Sequence, residues 1–492
     1  MSTVIERPFE LFIGGRETPS GAEEHQTLLD PATNHPLATT ALGRADDATH
    51  AMEVAQRAFE ESGWASDDGA RRTKTLFRIA QRLEERLDEF ARLETLNMGK
   101  TLKESRGDVA FVVRTLEYAA GLADKLQGET IPVPGARLDY TLREPLGVTV
   151  HIAPWNYPLL LALRSIAPAL AAGNAVVLKP ASLTPVTALT FARLASEAGL
   201  PDGILNVIVG SGSEVGETLV NDPRCRSVSF TGSPDVGKRI AELAGARVVP
   251  ATLELGGKGP VLVFPDADLD RAARGIAFGI FGNAGQMCWA GSRLLVHASI
   301  AEPLLDRVAR IAQGYRLGPG ISEGADMGPL VSRAHLDSVV DFLTEARSAG
   351  ARFLAGGARA TDPLLRDGNF LPPTVVDHAA ADSRIARDEV FGPVLVAFPF
   401  GDVEEALRLA NTTRYGLFAS IWTKELATAI PVARRLEAGM VSVNEAPVTF
   451  PQAPFAGYKE SGIGFEQGMD AVRSYTRRKN VIVNYGAPKP KK

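Results

Sequence analysis

Cysteine is nearly absent: Cys225 and Cys288 are the only two in 492 residues. Two thiols cannot build a disulfide framework or a thiolate metal cluster, and their scarcity suits a reducing compartment. Histidine is sparse as well. The 7 His fall in no HExxH or paired-ligand spacing, so no metal is expected. Positive charge is not in excess. The 53 Lys and Arg stand against 58 Asp and Glu, and the net charge of -5 offers no basic field for nucleic acid or an anionic membrane. Long apolar runs are missing too. The most apolar helical stretch, 159–172, is too short to span a bilayer and carries Arg164. The opening MSTVIERPFELFIGG has no basic region followed by an apolar one, so no signal peptide is expected and the cytoplasm is the expected location. Low complexity is confined to the terminal Pro-Lys run, which is expected to be disordered.

What remains is an ordinary globular composition, 45% hydrophobic and 23% charged, with length for about three domains. Asp46 or Asp47 is placed to cap a first helix, and Gly99 to end a later one; a helix is then expected over 102–127. From 148 a unit repeats. Apolar strands at 148–153, 175–179, 204–209 and 227–231 are each followed by a helical pattern. That alternation predicts a parallel, doubly wound α/β sheet, whose ligands lie beyond the carboxyl ends of the strands. Pro154-Trp155-Asn156, Lys179-Pro-Ala-Ser182 and Thr231-Gly232-Ser233 fall at those ends. A second α/β region follows residue 254, with strands expected at 261–264, 292–296, 394–398, 417–422 and 439–443. The stretches 138–144 and 475–485 read as long strands whose unpaired edges invite another chain.

The chemistry centres on 254–293. Glu254 opens Glu-Leu-Gly-Gly-Lys and Cys288 closes Gly-Gln-Met-Cys. A thiolate is a strong nucleophile once its pKa falls, and a carboxylate in an apolar setting is a base near neutral pH. Taken singly, a lone Cys also reads as a small buried hydrophobe and a lone Glu as a solvated charge. Phe230-Thr-Gly-Ser-Pro-Asp-Val-Gly237 is a strand, a glycine turn and a helix start, suited to a pyrophosphate or simply a tight connection. Lys179 could bond a ribose or stand in solvent. Asn156, fixed between Pro154 and Pro158, suits an oxyanion hole or a structural turn.

Together, PWNYP, KPAS, FTGSPDVG, ELGGK, GQMC, DEVFGP (388–393) and PFAGYKESGIG (454–464) resemble the aldehyde dehydrogenase superfamily, of the NAD(P)-dependent, non-acylating kind, in order and spacing over nearly the whole chain. The resemblance implies oxidation of an aldehyde to its acid. Cys288 would be the nucleophile, the Asn156 amide an oxyanion donor, Glu254 the base that activates water, and Glu466 a second acid near its proton path. Trp155, Lys179, Ser182, Gly232, Ser233, Gly237, Leu255, Glu389 and Phe391 would hold NAD or NADP. It also implies a Rossmann-like cofactor domain (1–125 and 146–254), an α/β catalytic domain (255–470) and a small β bridging element (126–145 and 471–492) that builds a homodimer or homotetramer.

Several positions depart from the commonest pattern. Ser182 stands where many NAD-preferring members have Glu; without that carboxylate, NADP should be tolerated. Arg164 stands where many members carry Trp. In oxidisers of carboxylated semialdehydes an Arg here contacts the substrate carboxylate, but their second Arg falls at Gly282. The stretch LRSIAPALAAGNAVVLKPAS also resembles aromatic-aldehyde dehydrogenases, and Tyr157, Trp289, Phe450 and Phe455 could line an aromatic pocket or simply pack. Phe465 and Ala456 replace a usual Arg and Gly close to Glu466. A CoA-acylating enzyme would typically lack a base such as Glu254. A structural protein on the same fold would be marked by loss of Cys288 or Glu254, and both are present.

Overall fold

Short runs of Val, Ile and Ala make the centre of the first sheet. Val148–Ile152, Ala175–Lys179, Leu205–Val207 and Cys225–Thr231 are buried almost throughout, as strands covered on both faces by helices must be. The computed structural model describes residues 5, 8–66 and 68–486. Residues 1–4 of the stretch in which no signal peptide is expected, and the terminal Pro-Lys run expected to be disordered, lie outside the described residues.

The first sheet has eight strands, in the order Arg16–Thr18, Leu11–Ile13, Leu205–Val207, Ala175–Lys179, Val148–Ile152, Cys225–Thr231, Ala251–Glu254, Gly462–Ile463. The central pairings are parallel and both edges are antiparallel. One edge strand comes from far along the chain: Gly462–Ile463, expected with the second region, pairs with Leu253 and Glu254. Helix Pro158–Ala171 is buried along nearly its whole length beneath this sheet. Two helix ends repay comparison with the sequence. Gly99 ends its helix with φ 100°, the left-handed conformation a glycine adopts freely. The first helix is capped at Arg44, with Asp47 inside the first turn accepting the Arg44 N–H at 2.9 Å, so the acid reaches backward instead of capping. Helix Leu102–Leu122 stops short of residue 127.

The second sheet has seven strands, in the order Arg352–Ala355, Thr374–Asp377, Val394–Phe400, Arg293–His297, Pro260–Val263, Phe418–Trp422, Met440–Val443. Five were legible in sequence. Arg352–Ala355 escaped because it is a half-exposed antiparallel edge with no clean alternation, and Thr374–Asp377 because two prolines precede it. A third sheet joins Thr130–Ile131, Arg137–Pro145 and Thr476–Asn484. The last two run antiparallel in register from Thr476 opposite Pro145 to Asn484 opposite Arg137, and Thr130–Ile131 pairs with Tyr140 and Asp139 on the other side, so 138–144 is the middle strand and not the unpaired edge its sequence suggested; the open edge belongs to Thr476–Asn484. Leu138, Leu142, Ile482 and Val483 remain exposed on this ribbon.

Candidate active site

Glu254 is the last residue of its strand, and the glycines after it decide what comes near. A Cβ on Gly256 would lie 2.2 Å from Glu389 Oε2, and one on Gly257 would lie 2.1 Å from the Cys288 carbonyl oxygen. Only glycine admits both approaches. The Gly257 N–H donates to Glu389 Oε1 at 2.9 Å. Thus the ELGGK turn brings Glu254, Cys288 and Glu389 into one neighbourhood.

The thiol of Cys288 is half-buried, and its pKa is pushed up to about 12 by burial, with Glu389 and Glu254 adding to the rise and Arg164 opposing it. Burial thus favours the neutral thiol over the thiolate. Glu254 is 1% exposed, and among the described residues neither of its carboxyl oxygens has a hydrogen-bond partner. Burial first, then the Glu466 charge, holds its pKa well above the carboxylate range, against the pull of Arg164. A buried carboxyl shifted in this way favours its neutral form and can accept a proton only once it has ionised.

Asn156 is 3% exposed; its amide nitrogen donates to the Gln286 carbonyl at 2.8 Å, and its own carbonyl accepts from Asn283 Nδ2 at 3.0 Å. One of its two amide hydrogens is thereby committed, and no further hydrogen bond from that amide is seen among the described residues. Glu466 and Arg164 form a buried ion pair, at 3% and 4% exposure. Ser229 Oγ also donates to Glu466 at 3.4 Å. The Arg164 guanidinium lies 4.2 Å from the Phe455 ring centre, and Phe455 meets Trp289 at 5.7 Å between centroids. This differs from an anion clamp reaching for substrate: a guanidinium so deeply buried requires a counter-charge, and Glu466 supplies it. Tyr157 lies under the Lys100 ammonium, 3.7 Å from its ring centre. Phe450 is 49% exposed.

The cofactor-side residues gather at the carboxyl end of the first sheet. Ser233 is the N-cap of Pro234–Ala246, yet its hydroxyl makes no cap bond and remains available to an anion at the helix start. A Cβ on Gly232 would lie 2.6 Å from the Phe230 ring, and one on Gly237 would lie 2.4 Å from Leu255, so glycine is what closes helix onto strand. Burial lowers the pKa of Lys179 to about 8; its ammonium donates to the Pro180 carbonyl at 3.2 Å. Ser182 Oγ donates to the Gly210 carbonyl at 2.9 Å, so its proton is already used. Glu389 is raised to about 7 by burial, partly offset by the Gly257 amide and Lys258. Trp155 meets Phe391 at 5.2 Å and His335 at 5.1 Å, and His335 Nε2 donates to the Phe391 carbonyl at 2.8 Å.

Sequence reading passed over Lys100, Glu104, Asn283, Gln286 and His335. The run Gly-Asn-Ala-Gly-Gln just before Met287-Cys288 was the available signal for Asn283 and Gln286. Lys100 and Glu104 stand at a helix start, where nothing in the neighbouring residues marks them as part of a site.

A parallel sheet with an anion-ready helix start, set against a half-buried thiol and a buried carboxyl, is the framework of a nicotinamide-dependent oxidoreductase. The profile of the Aldehyde dehydrogenase family matches residues 18–481. Phenylacetaldehyde dehydrogenase of Pseudomonas fluorescens is 42% identical, covering 97% of this chain and 96% of that one. Betaine aldehyde dehydrogenase of Bacillus subtilis (strain 168) is 41% identical, covering 96% and 97%. The NAD+ complex of aldehyde dehydrogenase from Bacillus cereus superposes with a TM-score of 0.96 at 38% identity, over 98% of each chain. The chain belongs to the aldehyde dehydrogenase family. Among its described residues, no helix is long and apolar enough to cross a membrane.

Proposed function

We propose that the protein oxidises an aromatic aldehyde to its carboxylic acid through a thioester on Cys288. The observation that carries the covalent reading is the close approach of the Cys288 backbone to Gly257 of the ELGGK turn, which leaves the unpartnered Glu254 carboxyl near enough to raise the pKa of the Cys288 thiol. The Cys288 thiol passes its proton to solvent water, and its sulfur attacks the aldehyde carbon as the carbonyl π pair moves onto oxygen; an Asn156 amide hydrogen supports the resulting oxyanion. The dinucleotide, when bound, supplies the acceptor for the hydride that leaves that carbon. Glu254 then takes a proton from water, the hydroxide attacks the thioester, and the acid departs as the sulfur is released.

The aromatic substrate class rests on Arg164 and its neighbours. With its charge engaged by Glu466, Arg164 offers little to a second carboxylate, while the half-buried Trp289, backed by Phe455, and Tyr157 provide ring surface. Either NAD or NADP fits. Lys179, Ser233 and Glu389 have the donors and acceptors for ribose and phosphate, and Ser182 brings no negative charge against a 2′-phosphate. The three sheets support a division into a cofactor domain, a catalytic domain and a bridging ribbon, and the exposed apolar edge of that ribbon supports a homodimer or homotetramer.

Replacing Cys288 with Ala tests the reading. Oxidation should cease while titration still reports cofactor binding. Turnover within tenfold of wild type would remove Cys288 from the reaction.

A further inference from the structure

The reaction scheme leaves one carboxylate unused that touches its machinery. Glu104 sits in the first turn of helix Leu102–Leu122. One of its oxygens, Oε2, closes a capping box, accepting the Thr101 N–H at 2.9 Å and the Thr101 hydroxyl at 2.7 Å. A cap needs nothing more. The other oxygen leaves the helix and accepts the backbone N–H of Asn283 at 2.7 Å, although Asn283 belongs to the segment that leads to Cys288.

That segment is bent in an unusual way. Asn283, Ala284 and Gly285 have φ of 48°, 52° and 72°, three left-handed residues in succession. Asn tolerates this conformation, but Ala is disfavoured in it, so something outside the turn must hold it. From this turn Asn283 Nδ2 donates to the Asn156 carbonyl at 3.0 Å and to the Gln286 carbonyl at 3.3 Å, and Asn156 Nδ2 reaches the same Gln286 carbonyl at 2.8 Å. The strained turn therefore links the oxyanion amide to the residues just before the thiol. Asn283 is 3% exposed, and without Glu104 its N–H would be buried without this acceptor.

We propose that Glu104 is a positioning residue: its carboxylate, reaching from the cap of a neighbouring helix, holds the 283–285 turn and through it the relative placement of the Asn156 amide and the Cys288 sulfur. The proposal rests on Cys288 being the nucleophile, so the test includes a readout of the thiol that requires no turnover. Glu104→Ala removes the acceptor. Glu104→Gln keeps an oxygen that can accept from Asn283. Glu104→Asp keeps the charge near Thr101 but draws it back from Asn283, and serves if the Ala variant does not fold.

For each variant, steady-state kinetics, NAD binding, thermal unfolding and the rate of Cys288 alkylation by iodoacetamide are measured. Small misplacement of reacting groups costs on the order of 100-fold, so Ala and Asp should lower kcat by roughly 10- to 100-fold. The alkylation rate should change in the same variants, while NAD affinity and aldehyde KM hold and Gln restores most of kcat. Ala and Asp variants that keep kcat within about threefold, a Gln variant as impaired as Ala, or a loss of NAD affinity in step with kcat would each overturn the proposal. Turnover by Cys288→Ala would instead strike the nucleophile reading itself, which separates the two failures.

Discussion

Replacing Arg164 with Met strips the counter-charge from Glu466 while keeping most of the side-chain volume. The two groups are 4% and 3% exposed, so water cannot take the place of the lost partner. Removing one member of a pair buried to this degree costs about 3–5 kcal/mol, most of it the burden of the charge left behind. For a folding unit of this size, 1 kcal/mol moves the melting temperature by roughly 2–4 °C, so the single variant should melt roughly 6–20 °C lower. Arg164→Met combined with Glu466→Gln has no orphaned charge and should regain much of that loss. Differential scanning calorimetry of the wild type, both single variants and the double variant completes the cycle. A drop of less than about 2 °C for Arg164→Met, or a double variant no more stable than the single, would refute the account of a buried, mutually dependent pair.

Glu254→Gln should give a rapid burst of reduced cofactor followed by a slow steady state, seen by stopped-flow absorbance; loss of the burst would show that Glu254 acts before deacylation. In the wild type the raised pKa of Glu254 means that its carboxylate form accumulates as pH rises, so deacylation should quicken with pH, and the Gln variant should lose that dependence. Ser182→Glu should cut kcat/KM for NADP at least tenfold, about 1.4 kcal/mol, and leave NAD similar or improved. Undiminished NADP use would contradict the pocket described. Light scattering at micromolar concentration should report a dimer or tetramer, and a monomer would leave the exposed face of the Arg137–Pro145 and Thr476–Asn484 ribbon without a role.

The sequence carried the elements whose signals are local. The apolar strands of the first sheet, the Gly99 helix end and the glycine-flanked Glu254 and Cys288 all announce themselves within a few residues. What stayed hidden depends on partners distant in the chain. Arg164 looks like a cation free to meet substrate until Glu466 arrives beside it. Glu104 is legible as half of a capping box with Thr101, yet nothing local says that its second oxygen faces Asn283. Phe450 shares the aromatic character of Phe455, but one is half-exposed and the other 1% exposed, a difference set by packing rather than residue type.

The return of Gly462–Ile463 to the edge of the first sheet bears on how such a molecule could be recombined. A chimera cut after Glu254 and again near residue 470 would seem to exchange one module for another. It would in fact import a foreign edge strand against Leu253 and Glu254, and with it a foreign Phe455 and Glu466 against the resident Arg164. The stretch after Glu254 therefore cannot be inherited separately from the strand that ends in Glu254, and exchange between relatives preserves these contacts only when both sides of that seam travel together.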